Sequence, residues 1–362
     1  MAYTTIDDPS EYFNTVLYTG TGNAGHAITG VGFQPDWIWI KNRTATYYHC
    51  LADTNRGITR NVSSNASDTE VNYSNISAVG SDGFTVGNNE LVNKNNQSLV
   101  AWNWKCNGGT NASNTDGSIT STVQVNDDAG FSIVLYTGNE TDGATIGHGL
   151  SAAPDVVIVK NRETARTWLV GHSAYVNGGN SENLRFNSTD AVASADSKAG
   201  SGWSRTAFGS SVFTVGNGSD GDYTSSTNNG SDDHVAYCFR SIQGYSKIGS
   251  YVGNGNANGA FTYTGFKPAF IIIKNTASSG TNWQIVDIKR KQFNGQYAVL
   301  AANTTGAESG GTGANGLIDI LSNGFKQRYT GSDLNQSGAK FIYVAFAENP
   351  FVSSKGVPTT AR

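Results

Sequence analysis

Charge, cysteine and helix-forming runs are all scarce in this chain of 362 residues. Charged residues make up 14% and the formal net charge is -4, so there is no basic footprint for nucleic acid. The densest basic run, Lys289-Arg290-Lys291, reads as a solvated turn. Cys50, Cys106 and Cys238 are odd in number, dispersed and without a Cys-x-x-Cys pair. That pattern argues against a disulfide framework or a zinc site and for buried thiols in a reducing cytoplasm. No run of about 18 apolar residues occurs, so no membrane insertion is expected. The opening "MAYTTIDDPSEYF" has neither a basic nor an apolar leader segment, so no signal peptide is expected. Ala, Leu, Glu and Lys at helical spacing are missing, and the one methionine is Met1.

Present instead are 44 glycines, many Asn, Ser and Thr, and 11% aromatic residues. The aromatic content separates the chain from disordered polar sequences, which lack the apolar surface to offset ordering entropy. Short β-branched and aromatic runs punctuated by turn residues point to an all-β fold.

The strongest signal is internal repetition. "PDWIWIKNR" (35–43) returns as "PDVVIVKNR" (154–162) and "PAFIIIKNT" (268–276). Upstream of it, "TVLYTGTGNAG" (15–25) matches "IVLYTGNETDG" (133–143) and, loosely, "GSYVGNGNANG" (249–259). Downstream come "SDGFTVGNN" (81–89), "SSVFTVGNG" (210–218) and "SNGFKQRYT" (322–330), and each copy closes on "LVAWNWK" (99–105), "HVAYCFR" (234–240) or "IYVAFAE" (342–348). Copies of this length fit domains better than solenoid repeats. The expectation is three tandem homologous antiparallel β-sandwich domains, jelly-roll or lectin-like, over 11–109, 129–245 and 246–351. A 1–10 arm precedes them, a 110–128 polar linker joins the first two, and a 352–362 tail follows. The four consecutive apolar residues after Pro35 imply a central strand covered on both faces. Lys41, Lys160 and Lys274 are expected to return the chain to water. Val100, Trp102 and Trp104 share one face of the closing strand, with Ala101, Asn103 and Lys105 on the other.

Several motifs tempt and then fail. "GTGNAG" (20–25) satisfies G-x-G-x-x-G, but it opens onto another strand and not onto a phosphate-binding helix, so a hairpin loop is the better account. The segment 217–233 gathers Asp220, Asp222, Asp232 and Asp233 without the spacing or final Glu of a calcium loop, so no cofactor or metal is expected, with calcium in this loop as the alternative. It is expected to be a solvent-exposed loop, lengthened relative to its counterpart: Phe213 to Val235 spans 22 residues, against 16 from Phe84 to Val100. Extra length at a sandwich edge is a common place for binding. His49 corresponds to Trp168 and Trp283, which suggests packing. No positioned acid and base or nucleophile motif emerges, so no catalytic residues are assigned and the chain is read as not an enzyme. The candidate binding residues are Tyr47, Tyr48, Trp203, Asp220, Asp222 and Tyr223. They are tyrosines and a tryptophan in polar, Gly-rich surroundings beside carboxylates, as a sugar platform requires. The competing reading is that each aromatic caps the end of its own sandwich.

The opening "YTTIDDPSEYFNTVLYTG", the phrases "PDWIWIKNR", "SDGFTVGN" and "YVAFAENPF", and the ending "SSKGVPTTAR" together resemble a repeat family. That family is common among virion proteins of tailed bacteriophages, especially marine ones, and is often labelled tail fibre or phage structural protein. The resemblance spans 3–362 and carries no agreed active-site residues. It implies a virion component, synthesised in the host cytoplasm, without saying which one; the leading expectation is a tail fibre or appendage contacting a host-surface glycan or envelope receptor. The alternatives are a capsid decoration or head fibre, and a glycan-cleaving depolymerase. The implied partners are other virion proteins and identical subunits, with a homotrimer as the analogy. Nucleic acid is not among them.

Overall fold

A computed structural model describes residues 3–176, 182–192, 203, 207–216, 225–291, 293–312 and 316–358. The fold is all-β, built from antiparallel sheets in sandwiches. In the first large sheet the strands run in the order Phe13–Thr19, Ser98–Trp104, Trp37–Asn42, Cys50–Asp53, Arg60–Val62, Val71–Asn72. A small sheet of His26–Thr29, Gly83–Val86 and Ile76–Gly80 accompanies it. The repeated phrase holds the same place in all three large sheets. Trp37–Asn42, Val156–Asn161 and Phe266–Asn275 each lie between their copy's closing strand and the next strand of the chain.

That place explains why both faces of the phrase are apolar. Side chains of a strand alternate between faces. Ile38 and Ile40 enter the core between the first large sheet and its small partner, with Phe84, Val86 and Leu99. Val157 and Val159, then Ile271 and Ile273, do the same in the other copies. The opposite faces meet each other. Trp37, Trp39, Val156, Ile158, Phe270 and Ile272 join Trp102, Trp104, Tyr237, Phe239 and Phe346 in one core common to the three copies. Ring contacts cross every boundary: Trp37 to Tyr237 at 4.5 Å, Trp104 to Phe346 at 5.6 Å and Phe239 to Phe346 at 5.7 Å between centroids. A void of about 30 Å³ remains at the centre, room for roughly one water.

The copies are tandem in sequence and a closed head-to-tail ring in space. Three kinds of polar contact recur at every seam. The lysines of the phrase do not return to water; each is 0% exposed. Lys41 Nζ donates to Thr305 O (3.0 Å), Lys160 Nζ to Ser67 O (3.0 Å) and Lys274 Nζ to Thr189 O (3.2 Å). Burial pushes these amines down, to about 8, about 7 and about 8. Main-chain bonds accompany them, from Glu308 N to Arg43 O, Glu70 N to Arg162 O and Val192 N to Thr276 O. The third contact comes from the ring that opens the next strand. Trp168 Nε1 donates to Ser63 O and Trp283 Nε1 to Arg185 O, both at 2.9 Å. His49 plays this part in the first copy: its Nδ1 accepts from Trp39 Nε1 (2.8 Å), leaving Nε2 to donate to Ala301 O (3.1 Å). Burial and nearby Lys41 push its pKa down to about 3, so the imidazole is neutral. Each copy therefore grips the same segment of one neighbour, the geometry by which a heterologous contact closes a ring.

Residues 110–128 differ from expectation. Ala112–Asn114 and Ser121–Asn126 are strands that extend the second large sheet beyond Phe131–Thr137. Alternating Ser121, Val123 and Val125 in a polar stretch was the available signal for the longer of the two. The 1–10 arm is also tied in: Ile6 lies in the common core, and Ser354 N, from the tail, donates to Asp7 Oδ1 (2.6 Å). All three cysteines are buried free thiols.

Candidate functional site

The G-x-G-x-x-G loop has most of its amides committed inside the protein and not turned towards a phosphate. Thr21 N donates to Asn93 Oδ1 (2.8 Å), Gly22 N to Asn93 O and Gly25 N to Val86 O. Asn93 is 0% exposed and also donates to Asn23 O and Gly87 O. Asn228 and Asn335 anchor the corresponding loops in the same way, through Asn139 N and Asn254 N. Beside each anchor a tyrosine hydroxyl donates to the preceding residue's carbonyl: Tyr18 to Val92, Tyr136 to Thr227 and Tyr251 to Leu334. Tyr251 is thus the counterpart of Tyr18, one residue away from where the loose match of "GSYVGNGNANG" puts it. These asparagines share a register in "LVNKN", "STNNG" and "DLNQS", a signal open to sequence reading.

The candidate binding residues separate. Trp203 is 0% exposed and packs edge-on against Phe208 (5.7 Å) and Phe213 (6.2 Å), so it belongs to the second sandwich's core and not to a surface. Asp220, Asp222 and Tyr223 lie outside the described residues. In the described part of the 217–233 segment, Ser226, Thr227 and Asn228 are fully buried, against the expected exposed loop, because Asn228 is the loop anchor. The basic run is a turn but is solvated only at Lys289: Arg290 pairs with Asp287 and Glu308, and buried Lys291 donates to Ile318 O.

Tyr47 and Tyr48 do come together, in a cleft of about 760 Å³ at the edge of the first sandwich. Tyr73, which sequence reading missed, completes an aromatic wall with them. Tyr48 is 49% and Tyr73 67% exposed. Ser74, next to Tyr73, has φ +49°, the left-handed region that non-glycine residues seldom occupy. Such strain often accompanies functional sites. Asn61, Asn75 and Asn89, with Asp68 and Glu90, supply amides and carboxylates to the same cleft, and Thr305 of the third copy closes one side. Asn75 is fully buried, donates to Asn61 Oδ1 (3.1 Å), and leaves its own Oδ1 without a partner. Tyr47 OH donates to Glu90 Oε2 (2.8 Å), and Glu90 also pairs with Lys94. Those two bonds hold the Glu90 carboxyl below its ordinary range, so it is ionised at neutral pH and poorly suited to donate a proton. Among the described residues, no group of three His, Cys, Asp or Glu side chains is placed to hold a metal ion, and no helix is long and apolar enough to cross a membrane.

The arrangement offers flat, half-exposed rings beside fixed amide groups in a concave site, the combination that suits a ligand with both apolar faces and hydroxyls. No curated protein and no solved structure matches the chain. A family model described as a domain of unknown function (DUF7483) matches residues 8–350, and the chain belongs to that family.

Proposed function

We propose that this chain is a non-enzymatic structural and binding component of a tailed-phage particle, a tail-fibre or similar appendage, and that the Tyr47–Tyr48–Tyr73 cleft takes a glycan of the host surface. The cleft carries the binding reading. Its rings present apolar area at low conformational cost, and exposed Asn89 can offer its amide to sugar hydroxyls, while buried Asn61 and Asn75 brace the floor behind it. The particle assignment rests on the resemblance of the repeated phrases. A ring held by a common aromatic core and seam hydrogen bonds, with no disulfide among its three cysteines, suits a protein folded in a reducing cytoplasm and used outside it.

A glycan array followed by calorimetric titration tests the reading. Tyr48→Ala and Tyr73→Ala should each weaken binding about tenfold, close to the 1.4 kcal/mol that corresponds to that factor. Their melting temperatures should match the parent. Turnover of the bound glycan would refute the non-enzymatic part. Gold-labelled antibody seen on heads and not on tail appendages would refute the location.

A further inference from the structure

We propose, building on the glycan reading of the first cleft, that the ligand is a polymer of neutral or N-acetylated sugars that continues into a second cleft on the third copy. This second cleft, about 600 Å³, is lined by Asn282, Gln284, Tyr329 and Asp333. It occupies the corresponding place in its sandwich: Asn282 precedes Trp283 as Tyr48 precedes His49, and Asp333 lies two residues before anchor Asn335 as Leu91 lies two before Asn93.

The two clefts are neighbours because the ring makes them so. Thr305 lines the first, and Thr304 and Ala307 line the second, so the segment 304–307 is their shared rim. The rim consists of Thr, Thr, Gly and Ala, without charge or bulk, and Ala307 is exposed at its crest. It is also fixed in place. Thr305 O accepts from Lys41 Nζ (3.0 Å) and Tyr47 N (3.1 Å), and just beyond it Arg43 grips Glu308 with two bonds of 3.0 and 2.7 Å. Cleft spacing is therefore set by the seam and not by a linker, so a chain seated in one cleft meets the other without further ordering of the protein. Asp68 and Glu90 in the first cleft and Asp333 in the second disfavour an anionic polymer. Exposed Asn89 in the first cleft and half-buried Asn282 in the second can offer their amides to hydroxyl and acetamido groups.

Titration with glucose-based and N-acetylglucosamine-based ladders, from disaccharide to decasaccharide, tests this. Affinity should rise about tenfold or more from the shortest to the longest member. Tyr329→Ala should abolish the gain with length while leaving disaccharide binding intact. Ala307→Trp, on the exposed crest, should do the same without altering Tyr47, Tyr48, Tyr73 or Tyr329, and it decides the matter if Tyr329→Ala folds poorly. Affinity that is flat with length, or long-chain binding unaffected by Ala307→Trp, would overturn the two-cleft proposal and leave the first cleft standing. Failure of every neutral oligosaccharide to bind the unmodified protein would overturn both.

Discussion

Two kinds of seam join the same three copies. Where the first copy meets the second, Asp53 accepts from Tyr237 OH (2.7 Å) and pairs with Arg56 (2.5 Å), Arg56 reaches Glu70 (2.9 Å), and Arg162 closes on Glu70 (2.9 Å). The third-to-first seam repeats this with Asp287, Arg290, Glu308 and Arg43, and Trp102 Nε1 is the donor to Asp287 (3.0 Å). The second-to-third seam has none of it. His172 stands for the aspartate, Tyr175 for the first arginine, Val192 for the glutamate, Thr276 for the second arginine and Val344 for the tyrosine or tryptophan. Tyr175 bonds to Thr276 and carries Lys340 over its ring at 4.3 Å, and His172 leaves Nε2 buried and unpartnered. All five positions change together. The lesson is that a buried aspartate is kept here only where the facing strand brings a donor and the adjacent turn an arginine. Facing Val344, a carboxylate would be buried with no partner, whereas burial and Lys340 push His172 down to about 4 and keep it neutral.

The sharpest way to break the comparison is to remove one member of a charged seam. Asp53→Ala leaves buried Arg56 with Glu70 as its one carboxylate partner and Tyr237 OH without its acceptor, and should cost about 3–5 kcal/mol in chemical denaturation. His172→Ala, at the matching position, removes no ion-pair partner and should cost distinctly less. Trp104→Ala opens the common core shared by both kinds of seam and should cost about 3–5 kcal/mol, with no preference between them. A smaller effect is expected from Trp102→Phe, which keeps the ring but leaves Asp287 Oδ2 short of a donor, at about 1–3 kcal/mol. Acid should also discriminate. Burial would raise the Glu70 carboxyl, but Arg162 and Arg56 together outweigh it and bring it down from 4.5 to about 2. A depressed carboxylate contributes fully above its unfolded pKa, so this contribution is lost as pH falls from about 4.5 towards 2. Glu70→Gln should flatten that part of the stability-versus-pH curve, and Val192→Gln should leave it unchanged. The smallest change belongs to the cleft: Tyr48→Ala should shift stability by less than about 0.5 kcal/mol while altering binding.

Much of the frame was legible because it is local. The alternation in "VAWNWK" and the continuous apolar run in "PDWIWIKN" report strands and their covered faces within a few residues. What covers the second face was not legible, since Trp37 meets Tyr237 and Lys41 meets Thr305 across sequence separations that no pattern encodes. The lysines mislead for the same reason: the carbonyls that make their burial tolerable belong to another copy. At the site, Tyr47 and Tyr48 were readable as tyrosines in polar surroundings. Tyr73 carries the same cue in "VNYSN". Trp203 offered it falsely, because the rings that bury it come from Phe208 and Phe213 in the same sandwich.

The shared core makes one demand of the whole molecule, and differential scanning calorimetry of the intact chain examines it directly. Three copies that close around common tryptophans should unfold in a single transition, with van't Hoff and calorimetric enthalpies in agreement. Two or three separable transitions, each surviving the loss of its neighbours, would contradict the ring.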